Sequence, residues 1–233
     1  MERHRNVNTL TVREDKTMAE ELAKIDKPGL AQFQGKRKLY LIPLIYAGTD
    51  APPEFKEKYQ RFWQQVTEQI TAQESKVGKI NRIYHETISV GGENGLNIME
   101  HLNILSYTIV KDKMDKGAAF EAVEEMTLVD ECMDWERCLM IGLYSQKVAE
   151  TVSRAYHESA TKRFAHISHR IDESLQENEV ALLFIREGHA VQFPKDVDVF
   201  IVAPPALDEI NRWLRDRQKE PAQTDESEKK TAE

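Results

Sequence analysis

The sequence predicts an α/β fold, with a mainly parallel sheet flanked by helices and a long helical middle section. Short apolar runs of strand length occur at residues 38–45, 180–185 and 197–203. Between them, apolar residues recur at intervals of three and four, which is typical of amphipathic helices. The early order of strand, helix and strand favours parallel pairing, because parallel strands need a crossover connection between them.

The first strand is predicted at residues 38–45, where Pro43 favours the strand's end, an edge position or a bulge because proline lacks an N–H donor. Pro52 and Pro53 then introduce a helix, since proline is tolerated in a first turn whose N–H groups have no partner. Gly78 is positioned to end this helix. Its apolar stripe contains Phe55, Tyr59, Phe62, Trp63, Val66 and Ile70.

A second strand is predicted at residues 79–90, and a glycine-rich turn follows it directly. Period-two counting places four apolar side chains on one face of that strand: Ile80, Tyr84, Ile88 and Val90. The turn consists of Gly91, Gly92, Glu93, Asn94 and Gly95, and Asn94 is the expected N-cap of a helix that begins near Leu96. Glycine reaches positive φ without a Cβ clash, so the turn permits a sharp β-to-α junction.

The middle of the chain is predicted to be helical. Residues 96–116 carry apolar side chains at helical spacing, and Gly117 marks a break. Residues 118–143 are markedly acidic, with carboxylates concentrated between residues 121 and 136. A long stripe then predicts a helix of several turns with one buried face: Val148, Val152, Tyr156, Ala160, Phe164, Ile167, Ile171 and Leu175.

The last part of the chain returns to α/β character. The continuous apolar runs at residues 180–185 and 197–203 are each predicted to be strands covered on both faces. A closing helix follows Pro204 and Pro205. Its apolar face contains Leu207, Ile210, Trp213 and Leu214.

These patterns divide the chain into four parts. Residues 1–35 are predicted to be a flexible N-terminal segment, and residues 36–95 a β-α-β unit. Residues 96–217 contain the helical section and a C-terminal α/β unit, which pack with the first unit as one body. Residues 218–233 are predicted to be a disordered tail, because they have almost nothing apolar to bury against their ordering entropy.

Composition indicates an ordinary soluble protein of 233 residues. Its net charge of -8 disfavours nonspecific attraction to nucleic acid or anionic membranes, and sequence-specific DNA binding is not expected. No apolar run approaches the roughly 20 residues that span a bilayer, and residues 1–6 lack the apolar stretch of a signal peptide, so the expected location is the cytoplasm. Cys132 and Cys138 fit neither a redox pair nor a zinc finger, and no cofactor is predicted.

Two segments are similar to the archaeal and eukaryotic class-1 peptide-chain release factors and the related Pelota ribosome-rescue proteins. The strand containing Leu39-Tyr40-Leu41, then Ala47-Gly48, a helix, a strand and the turn at residues 91–95 resemble that family's central domain. The step from residues 169–175 into residues 181–185 resembles its C-terminal domain, which has an L7Ae-like α/β fold. The resemblance covers about residues 38–202 and implies a release-factor-like scaffold in a ribosomal context.

The sequence also departs from that family. The Gly-Gly-Gln loop that promotes hydrolysis of peptidyl-tRNA is absent, and Gly91-Gly92-Glu93 is not a variant of it, because in the resemblance the turn lies downstream of that loop. The residues before position 38 are too few for the family's stop-codon-reading domain. The resemblance therefore implies binding without peptide release.

Each candidate site has a structural alternative. The turn at residues 91–95 could bind phosphate through its N–H groups, but Glu93 would repel an anion, which favours a structural turn. His166, His169 and Glu173 could share a helix face as metal ligands, but a solvated face with incidental histidines is the favoured interpretation, and no metal site is predicted. The acidic segment is either a solvated helix face or a contact for a basic partner.

Candidate catalytic residues lie at the carboxyl ends of the strands, where open α/β sheets bind ligands. His85, next to Glu86, precedes the glycine turn, and Glu187 and His189 follow the strand at residues 180–185. Such groups could support acid-base chemistry, but the sequence offers them no identifiable nucleophile.

Two functions are therefore proposed from the sequence. The favoured one is a noncatalytic release-factor-like protein that binds the ribosome or a translation GTPase. The alternative is a small hydrolase or metal-dependent enzyme that uses His189, Glu187 and His85 at the carboxyl edge of the sheet.

Overall fold

The computed structural model describes residues 35–219, within which a compact unit begins at Lys36. The predictions for the N-terminal segment 1–35 and for the tail 218–233 lie almost entirely outside the described residues. The last helix ends at Lys219, so residues 218 and 219 of the predicted tail are helical.

The described chain contains a five-stranded sheet and six helices. The strands are β1 (Arg37–Pro43), β2 (Arg82–His85), β3 (Ala119–Phe120), β4 (Val180–Ile185) and β5 (Val197–Ile201). The helices are α1 (Pro53–Val77), α2 (Gly92–Leu102), α3 (Ile104–Asp115), α4 (Met126–Met140), α5 (Gln146–Ser174) and α6 (Pro205–Lys219).

All strand pairs in this sheet are parallel, and the strand order is β3-β2-β4-β1-β5. The predicted α/β class with a mainly parallel sheet is confirmed. β1 and β2 run in the same direction as expected, but they are not neighbours, because β4 lies between them and pairs with both.

Two apolar cores cover the two faces of the sheet. Successive strand residues point to opposite faces, so Leu39 and Leu41 enter one core while Tyr40 and Ile42 enter the other. Helices α1, α2, α3 and α6 contribute to the core around Tyr40, and α5 contributes to the core around Leu39. Pro43 is the last residue of β1, where its missing N–H costs no ladder hydrogen bond.

The predicted strand at residues 79–90 is shorter than expected and ends at His85. Ile88 is buried in the loop that follows, and Val90 is 38% exposed, so the four apolar residues do not share a strand face. The N-cap of α2 is Gly91, so the assignment of Asn94 as the cap was wrong. The helix begins at Gly92, four residues earlier than predicted, because the glycines themselves provide the first turn.

The helical middle section is divided more finely than the periodicity indicates. Asn103 interrupts residues 96–116, because its side-chain Oδ1 accepts hydrogen bonds from the N–H groups of Leu105 and Ser106, each at 3.2 Å, and so caps α3. The predicted break at Gly117 is confirmed. Residues 118–143 are not helical throughout, since β3 and a short extended segment precede α4.

The long helix predicted from the stripe at residues 148–175 is confirmed as α5. The strand at residues 180–185 is also confirmed, and β4 is buried along its whole length. β5 was predicted to be covered on both faces, but it lies at the end of the sheet, and after the buried Val197 its residues alternate between half-buried and exposed. An apolar run alone does not distinguish a central strand from an edge strand.

Candidate functional site

The carboxyl ends of β2, β4 and β3 meet at one edge of the sheet because these strands are parallel. β2 leads into Glu86, β4 leads into Arg186, and the segment after β3 carries Glu124. Arg163, from the middle of α5, reaches the same place. We call Glu86, Glu124, Arg163 and Arg186 the carboxyl-edge cluster.

The carboxyl-edge cluster is a network of charge-assisted hydrogen bonds. Arg163 donates from Nε to both Glu124 carboxylate oxygens at 3.1 Å, and its Nη2 also donates to Glu124 and, at 3.2 Å, to Glu86 Oε1. Arg186 donates to the same Glu86 carboxylate from its backbone N–H at 2.6 Å and from Nε at 2.5 Å. Two carboxylates therefore face two guanidinium groups, and their charges balance.

Three of the four groups are buried, which makes their pairing necessary, and Arg186 is half-buried. Glu86 is 2% exposed, Glu124 5% and Arg163 0%. Burial lowers the pKa of Arg163, but the hydrogen bond and charge of Glu124, with the charge of Glu86, outweigh it and raise that pKa above its usual value. A buried ion pair holds only while both partners are present, since removing one leaves an uncompensated charge.

The cluster also joins the sheet to α4 and α5. Glu136 of α4 accepts from Arg186 Nη1 at 3.5 Å, and Arg163 belongs to α5. α4 and α5 pack on each other and are connected by residues 141–145, so they form a helical hairpin. The carboxyl-edge cluster therefore ties both helices of this hairpin to the ends of β2 and β4.

Thr87, next to the cluster, has a backbone conformation that β-branched residues rarely adopt. Its φ is +72°, in the left-handed region. Its N–H donates to Glu124 Oε1 at 3.1 Å, and its side chain hydrogen-bonds Tyr46, which follows β1. Desolvation of the Tyr46 hydroxyl group, followed by the charge of Glu86, raises the pKa of Tyr46 to about 12, although much of its ring is exposed.

His85 lies beside the cluster and is fully buried. Its Nδ1 donates to the Glu86 carbonyl oxygen, and its ring stacks on Phe184 with 5.9 Å between centroids. Burial lowers the pKa of His85 to about 4. The ring is therefore neutral near pH 7, and its Nε2 is a buried acceptor without a hydrogen-bond partner among the described residues.

Glu187 and His189 leave the same edge of the sheet as His85. They line a small cavity of about 180 Å³ with Arg186, Gly188 and the ends of neighbouring strands. Glu187 accepts from Asn211 Nδ2 at 3.2 Å, and His189 Nδ1 accepts from the Val191 N–H at 3.3 Å. Burial lowers the pKa of His189, and the charge of Glu86 opposes that shift. His85 is sealed from solvent, whereas Glu187 is exposed.

The glycine-rich turn at residues 91–95 lies at the start of α2 and packs against β3. Gly91 and Gly95 approach Phe120 so closely that an added Cβ at Gly91 would lie 2.7 Å from the Phe120 carbonyl oxygen. At Gly95 an added Cβ would overlap the Phe120 ring and the Val90 carbonyl oxygen. Gly92, Glu93 and Asn94 are exposed. The turn thus has a clear packing role between α2 and β3.

The three residues considered as metal ligands are distributed along α5. His169 Nε2 lies 3.2 Å from Glu173 Oε1, and His166 Nδ1 lies 3.9 Å from Glu125 Oε2. Across residues 35–219, no group of three or more histidine, cysteine, aspartate or glutamate residues has a geometry that could hold a metal ion.

The far end of the α4–α5 hairpin carries an exposed group of large apolar side chains, which we call the apolar tip. Met140 is 80% exposed, Ile141 is 74% exposed and Tyr144 is fully exposed. The apolar tip consists of Leu139, Met140, Ile141, Tyr144 and Val148. Its member on α5, Val148, lies about 22 Å along that helix from Arg163, at 1.5 Å per residue. Large exposed apolar groups of this kind mark interaction surfaces.

Sequence reasoning missed Arg163 and the apolar tip. The predicted stripe placed Phe164 on the buried face of α5, but Phe164 is half-buried and Arg163 occupies the buried position. Spacing offered a signal, because Ala160, Arg163 and Ile167 recur at intervals of three and four. The apolar run at residues 139–144 was visible as well, but sequence alone does not distinguish an exposed loop from a buried helix end.

Comparison with known proteins gave no match to this chain, whether with protein families, curated proteins or solved structures. None of the helices within residues 35–219 combines the length and apolar character needed to cross a membrane.

Proposed function

We propose that this chain is a noncatalytic binding protein of release-factor-like fold, which contacts the ribosome or a translation-associated partner through the α4–α5 hairpin. The observation that carries the proposal is the apolar tip, with Met140 and Ile141 each at least 74% exposed. Solvent exposure of such side chains is unfavourable unless another surface covers them.

The attachment of both hairpin helices to the edge of the sheet supports this binding role. Arg163 and Glu124 join α5 to the segment before α4, and Arg186 and Glu136 join α4 to β4. A hairpin held on both helices, at Arg163 in the middle of α5 and at Glu136 near the end of α4, presents its tip in one orientation, so less conformational entropy is lost when the tip binds. The ribosomal context rests on the resemblance of residues 38–202 to release factors and Pelota proteins.

Features at the carboxyl edge favour binding over catalysis. His85 is buried and neutral near pH 7, and Glu86 is held by Arg163 and Arg186, so neither group is free to exchange protons with a substrate. The exposed Glu187 and the nearby His189 line a cavity of about 180 Å³, which is small for a ligand site.

Co-sedimentation with ribosomes at low salt tests the proposal, with Ile141→Asp as the tip variant and Ile104→Asp as the control. Ile104 is a 55% exposed isoleucine at the start of α3. The tip variant should reduce the bound fraction about tenfold or more, since central apolar contacts dominate binding energy, while the control should bind like the wild-type protein.

Three results would contradict the proposal. The first is that the wild-type protein stays in the supernatant with ribosomes at low salt, whether a companion translation GTPase is in one nucleotide state or the other. Ile141→Asp could bind as well as the wild-type protein. Binding could also be lost only in Ile104→Asp, which would move the contact surface to α3.

A further inference from the structure

We infer that the apolar tip and the adjacent face of α4 bind a protein surface that combines an apolar cleft with lysine and arginine side chains. This inference rests on the proposed function, because it names the chemistry of the partner at the same hairpin. It commits to a basic protein surface and not to RNA, a membrane or a second copy of the chain.

The charge of α4 carries the argument. Asp130, Glu131 and Asp134 are exposed. The basic residue exposed on this helix is Arg137, which pairs with Asp134 at 2.8 Å. Asp130 and Asp134 are four residues apart, and Ile141 follows Asp134 by seven, so all three share one helical face. A negative strip therefore leads along α4 to the apolar tip.

The shape beside the tip completes the surface. A shallow depression between the two helices is lined by Leu139, Ala149, Ser153 and His157, together with charged residues of α5. Near the tip the exposed charges of α5 are mixed, with Lys147 and Arg154 alternating with Glu150. The negative potential thus comes from α4, and the depression offers apolar contact next to it.

This combination selects against the other partners. Phosphate groups of RNA would meet Asp130, Glu131 and Asp134, and the electrostatic attraction that dominates nucleic-acid binding would become repulsion. Amphipathic elements that bind anionic membranes are rich in lysine and arginine on the polar face, whereas α4 has one such residue, Arg137, which pairs with Asp134. Two copies of the acidic strip would also repel each other, whereas basic side chains around an apolar cleft complement it.

The test uses two synthetic amphipathic helical peptides, one built from leucine and lysine and its counterpart built from leucine and glutamate. The full chain should bind the lysine peptide and not the glutamate peptide. Reversal of the α4 strip, as Asp130→Lys with Glu131→Lys and Asp134→Lys, should weaken lysine-peptide binding at least tenfold. Ile141→Asp should weaken it as well.

A matched control reverses three exposed glutamates on the other helices: Glu57→Lys, Glu68→Lys and Glu100→Lys. It changes the net charge equally, so it should weaken lysine-peptide binding less than threefold if the α4 strip is the site. Equal weakening by the two triple variants would overturn the inference, because only the overall charge would then matter.

Other outcomes separate the inference from the proposed function. If the protein fails to co-sediment with ribosomes but still prefers the lysine peptide, the ribosomal part of the proposed function is contradicted and the inference of a basic partner is supported. Co-sedimentation without any lysine-peptide preference overturns only the inference, and so does stronger binding of deproteinised ribosomal RNA by the α4 triple variant. Sedimentation analysis in which Ile141→Asp dissociates a dimer would make a second copy the occupant and would also overturn it.

Discussion

His85 is a buried base that the fold keeps neutral. Its ring lies between Phe184 and the Glu86 backbone, and desolvation lowers its pKa from 6.5 to about 4. Such a position can be occupied by the neutral imidazole, which donates through Nδ1, whereas protonation would place a charge in the core. The residue is therefore sensitive to acid even though it is far from solvent.

The free energy of unfolding should fall as the pH drops from about 6.5 towards 4, because the unfolded chain takes up a proton at His85 that the native state excludes. The stabilising effect of the neutral ring is fully present above pH 6.5. The contribution of this one group should approach a slope of about 1.4 kcal/mol per pH unit. Urea unfolding of the wild-type protein and His85→Gln at several pH values measures it.

His101→Gln serves as the control for this titration, since His101 is exposed on α2. That variant should keep the wild-type slope between pH 6.5 and 4, while His85→Gln should have a shallower one. Identical slopes for the wild-type protein and His85→Gln would show that other groups, such as the cluster carboxylates, account for the acid sensitivity.

At the scale of elements, the contact between α2 and β3 depends on glycines without side chains. Gly95 is buried beneath Phe120, and Gly92 has φ of +59°, which L-residues with side chains rarely adopt. The close approach of α2 to β3 is thus a property of the glycine turn. This is a structural reason for glycines at a β-to-α junction, independent of any ligand.

Gly95→Ala should destabilise the protein by about 1–3 kcal/mol, because the new methyl group meets the Phe120 ring and the Val90 carbonyl oxygen. Gly48→Ala is the matched control, since no atom lies within 4 Å of its added Cβ and its φ is not positive. Denaturant titration should place the control within about 0.5 kcal/mol of the wild-type protein. Similar values for both variants would contradict this account of the turn.

At the scale of the whole molecule, the carboxyl-edge cluster links segments that are far apart in sequence. Arg163 reaches Glu124 and Glu86, which precede it by 39 and 77 residues, and Arg186 follows Glu86 by 100 residues. These bonds hold the hairpin, two strands and the segment after β3 together at one edge of the sheet. The orientation of the apolar tip therefore depends on a network that holds α5 at Arg163 and α4 at Glu136.

Arg163→Met should cost about 3–5 kcal/mol of unfolding free energy, because Glu124 would stay buried without a guanidinium partner, while Glu86 would keep Arg186. Adding Glu124→Gln should recover part of this loss, since it removes the uncompensated charge. Thermal or urea unfolding measures both variants. Arg137→Met removes an exposed ion pair and should cost less than about 1 kcal/mol.

The comparison between Arg163→Met and Arg137→Met decides whether burial matters. Equal losses would mean that the cluster behaves like a surface ion pair. If the double variant Arg163→Met with Glu124→Gln loses as much unfolding free energy as Arg163→Met alone, the effect comes from packing of the arginine stem and not from charge.

Local patterns in the sequence determined the class of fold and most of its elements. The stripe from Phe55 to Ile70 indicated α1, the continuous apolar run at residues 180–185 indicated β4, and Gly78 and Gly117 marked breaks that the structure confirms. These features follow from helical and strand periodicity and from backbone preferences of single residues. They depend on neighbours within a few positions, so the sequence displays them directly.

The tertiary structure decided what depends on distant residues. It inserted β4 between β1 and β2, made β5 an edge strand, and paired the buried Arg163 with Glu86 and Glu124. It also left the apolar tip exposed, although the same run could have been a core segment. Strand order, ion pairing and exposure are set by which surfaces meet after the chain has folded, and periodicity along one segment carries no information about its distant neighbours.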